Sequence, residues 1–203
     1  MDHMKQNIYW QTLSYIAGIF LIIMIPTYLY YYGPQNFLWL SDIGLFLTCL
    51  ALWFNSPLCM SMAAVGVMML ELIWSIVFFG ELIFNFHVIT LADYMFNPAY
   101  PIALRAISLF HIVIPVIWLV YLKQFGYQRR AIYYFILIYW CDLILVCLLT
   151  QPSENINWVF MPEFLGLKFL GPITWLIILA IGFPILFFFP THFIYKKYFK
   201  AIN

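Results

Sequence analysis

Charged residues are what this sequence most conspicuously lacks. Only 8% of its 203 residues are Asp, Glu, Lys or Arg and 66% are hydrophobic, whereas an ordinary soluble domain is about 25% charged. A soluble fold could not cover so apolar a chain with so few charges. The net charge of +1 and the scattered Lys and Arg residues also argue against nucleic acid as a partner, because phosphate binding needs a concentrated basic surface.

Cysteine motifs, internal repeats and linkers are missing as well. The four cysteines show no CxxC spacing, so the pattern predicts neither a zinc site nor a redox pair of that kind. All four lie within apolar stretches, where we expect them to pack as small core residues. Without a repeat, a low-complexity tract or a linker to divide the chain, we predict one integral membrane domain over residues 1–203. The cysteines are Cys49, Cys59, Cys141 and Cys147.

Six apolar stretches, separated by short polar breaks, make up most of the chain. Several approach the roughly 20 residues that a helix needs to cross about 30 Å of hydrocarbon. We therefore predict an all-α fold, a polytopic membrane bundle of about six transmembrane helices with interfacial or re-entrant outer loops. The predicted spans are residues 11–32, 36–55, 57–80, 103–122, 131–150 and 171–190.

The basic residues predict the orientation of this bundle, because cytoplasmic loops retain Lys and Arg. With both termini inside, seven of the nine basic residues lie on the cytoplasmic side, and only Arg105 and Lys168 lie outside. The two long loops, 81–104 and 151–170, then face outward. The seven inside are Lys5, Lys123, Arg129, Arg130, Lys196, Lys197 and Lys200.

Four ionisable residues lie inside predicted spans: Asp42, Glu71, His111 and Asp142. A charge at the bilayer centre costs at least about 2.5–3.5 kcal/mol, so such residues are usually functional or paired. Counting about 1.5 Å per residue from the outer end of each span places all four roughly 9–14 Å below the outer surface. The sequence therefore predicts a titratable layer and a polar pocket that opens outward.

Polar neighbours at helical spacing extend the predicted layer. Ser108 precedes His111 by three residues, and Tyr139 precedes Asp142 by three, so each pair shares a helix face. We take Ser108 with the four ionisable residues as candidate catalytic groups. Weaker candidates for substrate binding are Arg105, Tyr139, His87 and Asp93.

Two classes of function fit this layer. One is a membrane-embedded hydrolase or transferase that acts on a lipid or other amphipathic molecule, with His111 as base or ligand. The other is a proton- or cation-linked binding or transport protein, which requires polar residues to continue towards the cytoplasmic side. A third reading makes the same groups polar contacts between the helices of a structural accessory protein. The sequence specifies neither a metal nor another cofactor; as partners we expect membrane lipids and a second copy of the chain.

Four phrases of the sequence, LWLSDIGLF, LADYMFNP, LRAISLFH and ENINWVF, resemble a family of uncharacterised small bacterial polytopic integral membrane proteins. The resemblance extends from about Phe37 to Phe160 and implies a bacterial cytoplasmic (inner) membrane protein, without bringing an activity. The alkaline-ceramidase type of membrane hydrolase is a poorer comparison. Ser108 and His111 are one residue closer than its pattern prefers, and the last helix offers only His192 where a paired His motif is needed.

Overall fold

The apolar stretches form helices, as the hydropathy pattern predicts. The computed structural model describes residues 8–86, 90–160 and 170–202. Within that part of the chain, five helical segments are long and apolar enough to cross a membrane. The predicted all-α membrane bundle is confirmed, and the chain has the architecture of a multi-pass membrane protein. The five segments are Ile8–Tyr31, Pro57–Phe84, Ile102–Phe125, Ala131–Leu149 and Pro172–Tyr198.

The order of elements follows the predicted spans, with short turns added between them. In chain order they are α1 (Ile8–Tyr31), the 3-10 helix η1 (Pro34–Leu38), α2 (Leu40–Phe54), α3 (Pro57–Phe84), η2 (Thr90–Met95), α4 (Ile102–Ile107), α5 (Phe110–Phe125), β1 (Tyr127–Gln128), α6 (Ala131–Leu149), η3 (Ile156–Trp158), α7 (Pro172–Phe183), a π-helical turn (Pro184–Phe188), α8 (Phe189–Tyr198) and β2 (Ala201–Ile202). Helices α4 and α5 form one span, as do α7, the π turn and α8.

The second predicted span is shorter than its apolar run. Residues 36–55 divide into part of η1 and a 15-residue α2, about 22 Å long and so shorter than the hydrocarbon core. The division arises at Trp39, whose extended backbone separates the two helices. Leu40 and Asp42, in the first turn of α2, are both buried. Helix α2 therefore begins inside the bundle.

A tight hairpin joins α2 to α3. Asn55 ends α2 in the left-handed conformation, with φ 51°, which Asn tolerates better than most residues. The Ser56 hydroxyl accepts a hydrogen bond from the Cys59 amide at 3.3 Å, and Pro57 occupies the first turn of α3. These three residues stop one helix and start the next.

Helix α3 lies at the centre of the bundle and contacts α2, α5 and α6. Its small residues permit this close packing: Ala63 and Ala64 are fully buried. At Gly66 the ring of Phe135 from α6 packs directly on the backbone, where a Cβ atom would overlap it.

The two ends of the bundle differ in structure. At one end, which we call the strand end, Tyr127 of β1 pairs in parallel with Ala201 of β2, and the Trp10 indole donates to Gln124 Oε1 at 2.8 Å. At the other, the cavity end, α1 and α3 end while α2 and α4 begin. The candidate site residues that the structure describes lie towards the cavity end, except for Tyr139 at the middle of α6.

Replacing Gly66 with Ala should destabilise the bundle. The new methyl group must displace the fully buried Phe135 ring, so we expect a loss of about 1–3 kcal/mol in the free energy of unfolding. Gly80→Ala on the same helix is the matched control, since its Cβ would lie 3.9 Å from the nearest atom, the Phe86 carbonyl oxygen. Unfolding by SDS titration in detergent measures both, and equal stability of the two variants would contradict the packing at Gly66.

Candidate functional site

A cavity of about 700 Å³ opens at the cavity end of the bundle. Its wall is built by α1, η1, α2, α3, η2, the α4–α5 span, η3 and the C-terminal span. Among the described residues, the wall contains Asp42, Glu71, Glu154 and His111 as ionisable groups besides tyrosines, and neither Lys nor Arg. The remaining wall is largely aromatic. We call this space the central cavity.

The main polar contact in the wall joins α3 to α5. His111 Nδ1 lies 2.6 Å from Glu71 Oε2, and Glu71 is 1% exposed. A carboxylate only accepts hydrogen bonds, so with Glu71 ionised the imidazole donates through Nδ1. The bond at once orients the imidazole and offsets the cost of burying the carboxylate.

Aromatic rings enclose both faces of the imidazole. Trp74 stacks on one face with ring centroids 4.3 Å apart, and Phe110 stacks on the other at 4.2 Å. Phe78 stacks in turn on Trp74 at 5.2 Å, and η2 packs behind this pair through Ala92 and Met95. The plane of the His111 ring is therefore fixed by packing as well as by hydrogen bonding.

The second nitrogen of His111 is open to the cavity. Nε2 makes no hydrogen bond with a described residue. It is not a buried atom, so it keeps accessible surface. His111 itself belongs to the cavity wall. With its proton on Nδ1, the imidazole presents the lone pair of Nε2 to whatever occupies the cavity.

Asp42 supplies a second buried carboxyl group to the same wall. It lies in the first turn of α2, where the helix dipole favours negative charge. Its Oδ2 accepts a hydrogen bond from Asn36 Nδ2 at 3.1 Å, and it interacts electrostatically with Glu71. Asp42 Oδ1 and Glu71 Oε1 have no hydrogen-bond partner among the described residues.

Hydroxyl groups also line the cavity. Ser108 occupies the break between α4 and α5, and its Oγ lies 2.8 Å from the Tyr28 hydroxyl. The structure thus pairs Ser108 with Tyr28 and His111 with Glu71. Burial raises the pKa of Tyr94, and it raises the pKa of Tyr32 to about 12. Both remain neutral hydroxyls at physiological pH.

Asp142 lies behind the wall and holds Asn157 in place. Its Oδ2 accepts a hydrogen bond from Asn157 Nδ2 at 2.7 Å. Asn157 also donates to the Leu38 carbonyl at 2.7 Å and accepts from the Leu40 amide at 3.1 Å. Since no side chain of α2 itself caps its first turn, Asn157 supplies the cap from a distant loop. Asp142 therefore positions the start of α2.

The remaining sequence candidates lie outside the wall. The Arg105 guanidinium donates to the Met95 carbonyl at 2.7 Å, and the Tyr139 hydroxyl donates to the Leu179 carbonyl at 2.9 Å. Asp93 is half-buried on η2 and does not line the cavity. His87 lies outside the described residues.

Sequence reasoning missed Asn36, Asn157 and the rings around His111. Trp74 was within reach, because it follows Glu71 by three residues and so shares its helix face. For Asn157 the only local signal is its place in ENINWVF. The four phrases that carry the family resemblance all contribute residues to the cavity wall: Asp42, Tyr94, His111 and Asn157.

The donor set for a metal ion is small. Among the described residues, no group of three or more His, Cys, Asp or Glu side chains is arranged to hold a metal. Glu71 and His111 already share a hydrogen bond through one atom each.

Comparison of the chain with family models, with curated proteins and with solved structures gave no match. The family resemblance of the four sequence phrases therefore stays a prediction.

Replacing Asn157 with Gly should loosen the start of α2. Glycine keeps the left-handed backbone, with φ 51°, but removes the hydrogen bonds to Leu38, Leu40 and Asp142, each worth about 1 kcal/mol. We expect amide exchange at Leu40 to rise at least about ten-fold. Hydrogen–deuterium exchange read by mass spectrometry measures this.

Asn155→Gly is the matched control for that experiment. Asn155 also has a left-handed backbone, with φ 41°, but its side chain accepts from the Phe160 amide at 3.0 Å instead of touching α2. An equal rise in amide exchange at Leu40 in both variants would show that the Asn157 side chain does not stabilise the start of α2.

Proposed function

We propose that this protein is a membrane-embedded hydrolase or transferase of the bacterial cytoplasmic membrane. In this proposal the central cavity binds the polar group of a lipid or other amphipathic molecule, and His111 acts on it as a general base. The observation that carries the proposal is the geometry of His111. Its Nδ1 is bonded to Glu71, both ring faces are stacked, and Nε2 is open to the cavity.

This arrangement suits proton abstraction. As Nε2 takes a proton from a hydroxyl group or water in the cavity, the ring becomes cationic, and the Glu71 carboxylate on Nδ1 stabilises that charge. Stacked rings keep the imidazole from rotating, so little reorganisation accompanies the transfer. Ser108 contributes a protein hydroxyl to the same wall, hydrogen-bonded to Tyr28.

The composition of the wall favours an amphipathic ligand. Asp42, Glu71 and His111 form a polar patch, while Trp158, Phe183 and other aromatic residues provide apolar surface. Ligand sites commonly combine a mainly apolar lining with a few placed polar groups. The C-terminal span takes part through Phe183 and Phe187, so the cavity is framed partly by a helix that also faces lipid.

A buried apolar layer weighs against a transport pathway. One helical turn from Asp42, Glu71 and His111, in the direction of the strand end, lie Leu45, Val67, Met68 and Ile114, all buried. A turn further, the Trp118 indole donates to Thr48 at 2.7 Å, and the Thr48 hydroxyl donates to the Gly44 carbonyl. These groups are satisfied and offer no chain of free polar atoms. They support a blind cavity.

The basic residues support an outward-facing cavity. Exposed Lys and Arg side chains lie near the strand end, and by the positive-inside rule they favour the cytoplasmic side for that end and for both termini. The cavity end then faces the outer side of the membrane. The exposed residues are Lys123, Arg129, Arg130, Lys196, Lys197 and Lys200.

The tautomer of His111 tests its role as base. At pH 8, nitrogen-15 NMR of histidine-labelled protein should show Nδ1 protonated and Nε2 unprotonated, with the signals assigned by their loss in His111→Gln. In Glu71→Gln this preference should disappear, because a neutral amide no longer selects a donor at Nδ1. A proton on Nε2 in the unaltered protein would contradict the proposed base.

Blocking the cavity tests the binding of an amphiphile. A dodecanol bearing a diazirine on its chain, added to protein in nanodiscs and photolysed, should label cavity residues such as Leu70 and Trp74. Ser41→Trp places a large ring in the wall. Because the indole fills part of the cavity, this variant should reduce the labelling by at least about five-fold. Ile76→Trp on the exposed face of α3, where Ile76 is 71% exposed, should leave it unchanged.

The melting temperatures of both variants show whether they remain folded. Labelling restricted to exposed faces in the unaltered protein, with none in the cavity, would overturn the proposed function.

A further inference from the structure

We propose that the amphiphile bound in the central cavity carries a protonated primary amine, and that its ammonium group binds between Asp42 and Glu71. This inference rests on the proposed function and adds the chemical class of the ligand. Three features of the wall support it: its charge, its unpaired oxygen atoms and its aromatic rings.

The charge of the wall excludes an anionic headgroup. Among the described residues, Asp42, Glu71 and Glu154 line the cavity, and neither Lys nor Arg does. Arg105, three residues before the wall residue Ser108, does not line the cavity. Its guanidinium donates to the Met95 carbonyl. A phosphate or carboxylate placed beside Asp42 and Glu71 would be buried with like charges and without a cation.

Two carboxylate oxygens lack hydrogen-bond donors. Asp42 is 2% exposed and Glu71 is 1% exposed, yet Asp42 Oδ1 and Glu71 Oε1 have no partner among the described residues. Their other oxygens are occupied by Asn36 and His111. An unpaired buried acceptor is unfavourable. Both oxygens are closed off from the cavity as placed, so an ammonium ion reaches them when the two carboxyl groups rotate, and its several N–H donors then satisfy both.

Charge balance favours ammonium over a hydroxyl group. Asp42 and Glu71 are near enough to interact electrostatically, and two carboxylates in a low-dielectric site repel each other. A sugar or alcohol headgroup can donate hydrogen bonds but leaves this repulsion in place. An ammonium ion donates three hydrogen bonds and also supplies the missing positive charge.

Aromatic rings complete the binding site. Tyr28 and Tyr94 line the same cavity as the two carboxyl groups, and the faces of their rings attract cations. A quaternary ammonium would use the rings and the charge but has no N–H to offer Asp42 Oδ1 and Glu71 Oε1. The wall therefore favours a primary amine over a quaternary one.

Competition against the diazirine dodecanol probe tests this inference. The competitors share the same dodecyl chain and differ only in the headgroup. At pH 7.4 dodecylamine is protonated, since an alkylamine such as the Lys side chain has a pKa of about 10.4. We expect dodecylamine to displace the probe at a concentration at least ten-fold lower than dodecanol does. Dodecyltrimethylammonium should fall between them, and dodecyl sulfate should be no better than dodecanol.

Carboxyl variants locate the binding site. Asp42→Asn and Glu71→Gln should each reduce the advantage of dodecylamine over dodecanol by about ten-fold, because each removes one charge and one acceptor. Glu81→Gln is the matched control, as it makes the same chemical change on α3 about 15 Å further along the helix, outside the cavity wall. In Glu81→Gln the advantage of dodecylamine over dodecanol should equal that in the unaltered protein.

Two sources of the amine can be separated by the lipid of the nanodisc. If the ligand is a lipid headgroup, phosphatidylethanolamine should compete with the probe where phosphatidylglycerol does not. If it is a free alkylamine, dodecylamine should compete and phosphatidylethanolamine should not. Both outcomes support an ammonium site.

The result that would overturn the inference is probe labelling in the cavity with no preference for dodecylamine over dodecanol, or a preference that persists in both Asp42→Asn and Glu71→Gln. The proposed function would survive that result. Absence of cavity labelling by the probe itself would overturn both.

Discussion

The hydrogen bond between Glu71 and His111 is the interaction on which the cavity end depends. A carboxylate at 1% exposure inside an apolar bundle is unfavourable unless it is paired. The imidazole provides that partner at 2.6 Å and joins α3 to α5 in doing so. The rings of Trp74 and Phe110 enclose the imidazole, and η2 packs behind Trp74 and Phe78. One polar contact thus organises three segments of the chain.

The start of the second helix borders the same cavity. Helix α2 begins only at Leu40, and the extended backbone of Trp39 separates it from η1. Asn36, Trp39 and Leu40 around this junction line the cavity. Asn157 fixes this boundary from a loop more than 100 residues away, with Asp142 behind it. The loop residues Glu154 and Trp158 then complete the wall. Glu154 accepts a hydrogen bond from Gln35 of η1 at 2.6 Å.

The number of apolar helices and the tight hairpin could be predicted from the sequence, because hydropathy and the Asn55–Ser56–Pro57 break are local signals. The clustering of Asp42, Glu71 and His111 followed from a simple depth count, and helical spacing added Ser108. The same count included Asp142, which lies behind the wall on Asn157. The length of α2 could not be predicted, since Phe37, Leu38 and Trp39 continue the apolar run although the backbone leaves the helix there. The loops and helix faces also eluded prediction. Nothing local distinguishes Asn157 as a cap, and helical spacing alone could not show that the Tyr139 hydroxyl bonds to Leu179 in the C-terminal span.

The depth count itself was affected by helix length. The prediction ended the third span at residue 80, but α3 continues to Phe84, so Glu71 lies about 20 Å from the end of its helix and not about 14 Å. It still meets His111, because α3 packs against α5 and the two side chains bond across that contact. The hydrogen bond between Glu71 and His111 therefore defines which groups lie together, whereas the distance of each residue from the end of its span does not.

The most direct test of the account is a structure of the protein in a lipid nanodisc with a bromine-labelled long-chain amine. The bromine-marked chain should lie against Phe183 and the aromatic wall. The ammonium group should lie within hydrogen-bonding distance of Asp42 and Glu71 and next to His111 Nε2. Bromine found only on the lipid-facing surface, with Glu71 and His111 in contact solely with each other and with neighbouring helices, would contradict it and leave these residues a structural role.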